Sequence, residues 1–319
     1  MRFAPWLRVF KGSALDVTLR THPGLSTRII EKPGATLDDA ALEKLVEQLR
    51  QVVGRTLSNG ALTYGVFSGE RERLSQTIVT LVSETATGRA IAFNALALVE
   101  ARLNGEPQQI MHLGLVMVHP DYRGQGLSDV LYGLTVLFLF IRDGLRVRWL
   151  SNVSQVPAVI GMVAETFSNV FPSPLPGSRQ SFSHLTLARQ IMSRHRHVFG
   201  VGEDASFDET RAVIANAYTG GSDYLKKRFE DAPKHRKQIY NEFCAANLDY
   251  QRGDDFLQIG VIDIAAAQRY LLRHTPRALW PGLIIEAAVL VLQRLLLPAI
   301  YWFDSSRYFG LLRPRQGRR

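Results

Sequence analysis

The sequence predicts an α+β fold: a mixed, mostly antiparallel sheet flanked by helices, with a helical C-terminal extension. Three observations carry this. Strand-like runs follow one another at about 76–83, 88–102 and 108–118, the last two joined by Asn104-Gly105, a strong hairpin signal. A glycine-containing turn at 119–128 then leads into an apolar helix and a further strand, the connection that supplies a parallel neighbour. Beyond residue 175 strand patterning fades, apart from one buried-looking run at 256–264.

The elements follow in order. Residues 1–25 read as an N-terminal arm. Phe3, Trp6 and Phe10 alternate there with Arg8 and Lys11, the composition of a membrane-interface segment or of an ordinary arm packed on the domain. The apolar run is too short and too interrupted for a cleavable signal. Residues 26–31 form a first strand ended by Pro33-Gly34. Thr36 caps a helix whose first turn holds Asp38 and Asp39 and whose apolar face is Leu42, Leu45, Val46, Leu49, Val52 and Val53. A polar loop at 58–75 precedes the three strands. After the turn come a helix over about 127–141, a strand near 146–152 and a helix near 155–167, which completes a core at 26–175. A proline-rich connector, "FPSPLPGS" (171–178), opens a mostly helical extension at 176–275, with helices expected at 184–197 and through much of 208–250. Residues 276–319 hold an apolar helix and a basic tail.

Composition limits the function classes. Lys and Arg (38) exceed Asp and Glu (29), a formal charge of +9 that favours acidic partners: a phosphorylated cofactor, anionic lipid or an acidic carrier protein. Without an aromatic platform or a recognised motif, charge alone does not make a nucleic-acid binder, and none is expected. The lone Cys244 rules out an intrachain disulfide and a multi-cysteine zinc site. His195 and His197 point apart on a helix, so they and His184 are not expected to bind metal. The apolar segment 278–303 carries Glu286, Gln293 and Arg294 on one helix face and aromatics at its ends. That pattern fits an in-plane membrane anchor, a buried helix or a span. The expected location is cytoplasmic, with a peripheral position on the inner face of the membrane as the alternative that an anchor would bring.

The turn "VHPDYRGQGLSDVLYGL" (118–134) carries the chemistry. Glycines at a strand-to-helix turn let the backbone approach a phosphate, which the helix N-terminus attracts. A Walker loop, a dinucleotide loop and a nucleophile elbow are all excluded, since each lacks a required residue here. The remaining pattern, Arg123-Gly-Gln-Gly126-Leu-Ser128, resembles the coenzyme A pyrophosphate loop of the GNAT acyltransferase superfamily, and the element order over 26–170 resembles its fold. The resemblance implies a GNAT-like sheet that splays to admit the pantetheine arm of acetyl-CoA or a longer acyl-CoA, bound by Val118, Arg123, Gly124, Gln125, Gly126, Leu127 and Ser128, with Gln155 near the cofactor. It implies direct acyl transfer to an amine, with a backbone donor near Met117 or Val118 for the oxyanion. His112 stands where the family often has its general base. Alternation puts His112 on one face with Gly114, Val116 and Val118, with Gly114 leaving room for substrate. Glu84 and Glu100 are reserve bases. Met162 stands where the family's proton-donating Tyr is expected, which keeps a non-catalytic CoA sensor as the alternative. An acyl carrier protein and an anionic membrane surface are further candidate partners.

Overall fold

The structure is a computed structural model that describes residues 14–57, 62, 65–275 and 279–297. Its first element departs from expectation. Residues Asp16–His22 form strand β1, antiparallel to β2 (Leu25–Glu31), so the sheet begins inside the segment read as an arm. Val17, Leu19 and Thr21 alternate inward along β1, the period of a strand with one covered face. The aromatics at positions 3, 6 and 10 lie outside the described residues.

Helix α1 (Asp39–Thr56) follows, and Asp38 rather than Thr36 caps it, accepting 2.8 Å from the Ala41 N–H. Its buried stripe is the expected one, Leu42 through Val53 at helical spacing. Strands β3 (Thr77–Glu84), β4 (Ala90–Leu103) and β5 (Glu106–Leu113) form an antiparallel meander. Asn104 and Gly105 both have positive φ at the β4–β5 turn, as an Asn-Gly hairpin requires. A three-residue strand β6 (Val116–Val118) continues β5 after a break. The glycine turn leads into helix α2, which begins with π turns at Asp129–Leu134 and continues as Thr135–Arg142. Then come β7 (Arg148–Ser154), α3 (Pro157–Thr166), β8 (Ser168–Phe171) and α4 (Phe182–Arg194).

The segment 208–250 is less helical than its composition predicts. It contributes β10 (Val213–Ala215), paired with β9 (Ser206–Asp208), then loops, and only one helix, α5 (Gln238–Asn247). Strand β11 (Asp255–Ile262) precedes α6 (Ile264–His274) and α7 (Trp280–Val291). The expected strand at 256–264 is therefore present, and it joins the same sheet.

The sheet order is β1-β2-β3-β4-β5-β7-β11-β10-β9, with β6 on β4 and β8 on β11. One pair, β5 with β7, is parallel; the other pairs are antiparallel. Both faces are covered. Helices α1 and α4 pack on one side, through Leu49 and Phe93 and through Ile110 and Ile191. Helices α2, α3, α6 and α7 cover the other through Phe138, Val163, Tyr270 and Leu283. Since β11 lies inside this sheet, the C-terminal extension is not a separate layer but the far half of one sheet.

Among the described residues no helix is long and apolar enough to cross a membrane. The side chains of Glu286, Gln293 and Arg294, and everything beyond 297, lie outside the described residues.

Candidate active site

The site begins with a backbone irregularity. β5 pairs with β7 only from Met111↔Leu150 to Leu113↔Asn152. Its pairing with β4 then slips by one residue, from Ala97↔His112 to Asn94↔Val116, so Gly114 and Leu115 form a bulge. A Cβ on Gly114 would collide with the Ala95 carbonyl oxygen, so the bulge needs glycine. The Gly114 carbonyl instead accepts 3.0 Å from the Tyr132 hydroxyl on α2. Past the bulge β6 has no pairing with β7, and the sheet opens between them.

The bulge also inverts the alternation. His112 faces α4 and its following turn, whereas Val116 and Val118 pack toward α2. The expectation that His112, Gly114, Val116 and Val118 share one face is therefore corrected. Gly114 serves the Ala95 contact and not a space beside His112.

A cavity of about 650 Å³ occupies the opening. Ser128, Tyr132, Val159 and Met162 line it from the α2–α3 side, and His112, Phe199, Tyr218 and Asp255 from the α4 side. It is a passage through the sheet, with different chemistry on each face.

At the α2 side stands the glycine turn. Gly124 and Gly126 have φ of 77° and 74°, a conformation that side chains resist. Alternating such residues with ordinary ones turns successive N–H groups toward one side, an anion-binding concavity. The first turn of α2 adds N–H groups that lack helical acceptors. Leu127 is buried beside Leu131 and anchors the turn, and Arg123 Nε donates to the Val118 carbonyl at 3.4 Å. Gln125 donates to the Asp121 carbonyl at 3.5 Å. Val118, Arg123 and Ser128 reach the cavity wall, whereas the four residues between Arg123 and Ser128 do not.

Gln155 lies apart from this loop. It is fully buried, is not part of the cavity wall and holds Tyr218 and the Lys227 backbone.

His112 is in the wall, 3% exposed, with Nδ1 3.0 Å from Ser151 Oγ and its ring stacked on Phe199 at 4.8 Å. Burial pushes its pKa down to about 3, so the imidazole is neutral and weakly basic at physiological pH. The reserve bases fare differently. Glu84 is held down to about 2 by hydrogen bonds from Arg89, Thr87 and Tyr122. Glu100 is exposed and does not line the cavity.

Several cavity residues escaped the sequence reading, Tyr132 and Asp255 among them. Tyr132 sits one turn into α2, within a run that reads simply as apolar. Asp255 opens β11, is 4% exposed and accepts 2.9 Å from the Tyr218 hydroxyl. Burial pushes its carboxyl up to about 7, with Asp254 adding to the effect and Tyr218 opposing it. The tandem Asp254-Asp255 directly before a buried strand was the available signal.

His184 is engaged in capping α4: Ser181 Oγ lies 2.7 Å from its Nδ1, and Nε2 lies 2.8 Å from the Asn169 carbonyl. Among the described residues no group of three or more His, Cys, Asp or Glu side chains is placed to hold a metal ion.

No family model matches the chain, and no curated protein does. Solved structures give distant likenesses. A ribosomal-protein-S5-alanine acetyltransferase from Vibrio fischeri is 10% identical, over 78% of this chain and 98% of that one, with a TM-score of 0.34. A ribosomal-protein-S18-alanine N-acetyltransferase from Escherichia coli is 14% identical, over 45% and 80%, at 0.28. A GNAT-family acetyltransferase from Streptococcus pneumoniae is 13% identical, over 49% and 93%, at 0.30. At such distances the fold reading stands on the chain's own features: a strand that parts from its neighbour and a glycine turn at its end are the arrangement that the resemblance to the GNAT superfamily implies.

Proposed function

We propose that the chain is an acyl-CoA-dependent N-acyltransferase that passes the acyl group directly to an amine. The observation that carries this reading is the passage through the sheet, with a phosphate-binding turn at one face and polar groups at the other. A thioester can be threaded between β6 and β7 from the α2 side while an amine approaches from the α4 side. Alternate N–H groups of β6 face the side that β7 has left, as in any strand with one partner. The N–H groups of Met117 and His119 turn toward β4, so of the two candidates Val118 is the donor for the oxyanion. Cys244 is buried in α5, with burial pushing its thiol up to about 12, which fits transfer without an acyl-enzyme.

Calorimetry with CoA, acetyl-CoA and palmitoyl-CoA tests the reading. Gly126→Glu places a side chain at positive φ and a carboxylate beside the phosphates. It is expected to weaken acetyl-CoA binding by about 100-fold or more, about 2.7 kcal/mol. Failure of the wild-type protein to bind any of the three ligands would overturn the proposal. Binding without turnover of any amine would instead favour a CoA sensor, the reading that Met162 and the weakly basic His112 support.

A long-chain donor and a membrane surface belong to the same proposal. Leu272, Ile284, Leu295 and Leu296 are exposed on α6, on α7 and just beyond it, and a basic tail follows in the sequence. Ile284→Glu with Leu295→Glu is expected to reduce co-sedimentation with phosphatidylserine vesicles about tenfold, since each removes apolar contact and adds repulsion. Equal co-sedimentation would count against a membrane role.

The acyl carrier protein is the weaker partner. Arg228 pairs with Asp231, Arg236 and Lys237 with Glu165, and Lys226 donates to the Gln251 carbonyl, so much of the basic cluster serves local contacts.

A further inference from the structure

We propose that Asp255 is the residue that takes the proton from the acceptor amine, at the α4 face of the passage. The inference rests on the N-acyltransferase reading and assigns the step for which His112 is poorly suited. A neutral, fully buried imidazole with a pKa near 3 gains little by accepting a proton at physiological pH.

Position comes first. Asp255 lies on β11 next to the end of β7, where Phe256 pairs with Ser154. Its neighbours at period two, Leu257 and Ile259, pack with α4. His112 stacks on Phe199 just after α4. Asp255 and His112 therefore line one face of the sheet, opposite the glycine turn, where an acceptor must enter if the donor fills the other side.

The hydrogen bonds describe a group that can hold or release a proton. Tyr218 Oη lies 2.9 Å from Asp255 Oδ1 and 2.7 Å from the Gln155 amide. The Gln155 amide satisfies the Lys227 backbone in one orientation, with its oxygen accepting from the Lys227 N–H at 2.9 Å and its nitrogen donating to the Lys227 carbonyl at 3.2 Å. In that orientation the same oxygen must also receive the Tyr218 hydrogen. A hydroxyl has one hydrogen to give, so Asp255 must then be the donor to Tyr218 and carry a proton. In the reversed orientation Gln155 gives up both contacts to the Lys227 backbone and donates to Tyr218, and Tyr218 donates to an ionised Asp255. The chain Gln155–Tyr218–Asp255 thus has one setting for the carboxylic acid and another for the carboxylate.

The surrounding charges are of both signs. Tyr218 favours the carboxylate, and Asp254 favours the acid while bound to Arg252. Tyr250 donates to the Gln155 backbone carbonyl at 2.6 Å, and Lys227, Asp231, Arg73, Arg123 and His197 stand on the wall of the same cavity. With burial as the main influence, the carboxyl titrates at about 7, where a general base is most useful.

The step balances. An ammonium acceptor gives one proton to the Asp255 carboxylate, and the freed nitrogen lone pair attacks the thioester carbonyl. The C–N bond forms and the C–S bond breaks, with its electron pair leaving on sulfur. The remaining surplus proton on nitrogen ends on that sulfur, giving the amide and a thiol.

The test has two arms on wild type, Asp255→Asn and Tyr218→Phe. Calorimetry reads acetyl-CoA binding. Thiol release reads turnover with acetyl-CoA and a panel of primary amines: spermidine, an alanine-initiated peptide, an amino sugar and a long-chain alkylamine. Wild-type kcat/KM is expected to rise with pH through an inflection near neutrality. Asp255→Asn should lose about 100-fold or more in turnover and lose that inflection, with acetyl-CoA affinity unchanged. Tyr218→Phe should move the inflection upward, because the carboxylate loses a donor; a merely structural Asp255 would not produce this shift. Turnover in Asp255→Asn within about threefold of wild type, or an unmoved inflection in both variants, would overturn the assignment. Acetyl-CoA binding without turnover of any amine would overturn it as well. Absence of acetyl-CoA binding by wild type would overturn the underlying reading, a failure that the binding arm separates from the others.

Discussion

Gly114→Ala is expected to destabilise the protein by about 3 kcal/mol or more, while Gly54→Ala, in the last turn of α1, should stabilise it by about 0.5 kcal/mol. The contrast follows from what each new methyl would meet. At Gly54 nothing lies within 4 Å, and alanine simply reduces the freedom of the unfolded chain and favours the helix. At Gly114 the methyl would occupy the place of the Ala95 carbonyl oxygen, which belongs to a central strand and cannot rotate away like a side chain. Relief would require β4 and the bulge to separate. That movement would disturb the Tyr132 hydrogen bond to the Gly114 carbonyl and narrow or displace the passage. Urea unfolding of both variants, with acetyl-CoA calorimetry on whatever Gly114→Ala remains folded, reads both effects. A Gly114→Ala protein as stable as wild type and equally able to bind would show that the bulge is adaptable and that the opening beside β7 does not depend on it.

The same position shows how much of the molecule could be read in advance. The glycine turn was legible because its signal is local: two glycines, a preceding strand and a following apolar helix lie within one short stretch. The α1 stripe and the Asn104-Gly105 hairpin were legible for the same reason. The bulge was not. A glycine between His112 and Val116 fits an alternating strand, and only the cross-strand partner Ala95 reveals that one residue is extra. Missing it reversed the face assigned to every residue after Leu113. β1 is hidden in the sequence because its alternation is short and carries Asp16, Thr18 and Arg20 outward, which resembles a polar arm. Composition predicts helix through much of 208–250, yet Val213 and Ile214 pair with β11, a contact no local window contains. Asp255 is the functional counterpart of that error. A carboxylate at a strand start is ordinarily solvated, and its burial is set by the Tyr218 loop and the β7 end, both distant in sequence.

His112 and Asp255 together give the fold an unusual response to acid, and Asp255→Asn should expose it. Asp255 has its folded pKa raised from an ordinary 3.8 to about 7, so between these values the native state holds a proton that the unfolded chain has released. Its contribution to stability is fully present below pH 3.8 and declines as pH rises through 7. His112 has its folded pKa lowered from 6.5 to about 3, so between those values the unfolded chain holds the extra proton. Its contribution declines as pH falls. Over the shared window, from about pH 4 to pH 6.5, the two slopes have opposite signs and similar size, about 1.4 kcal/mol per pH unit each, and largely cancel in the wild-type protein. Removing one should unmask the other. The stability of Asp255→Asn relative to wild type is expected to climb by about 4 kcal/mol between pH 4 and pH 7, and His112→Asn should gain on wild type by a comparable amount as pH falls from 6.5 toward 3. Chemical unfolding of the three proteins at a series of pH values measures both slopes. If the Asp255→Asn difference is flat across that range, Asp255 is ionised throughout in the native state, and a carboxylate already stripped of its proton by pH 4 has too little affinity to draw one from an amine.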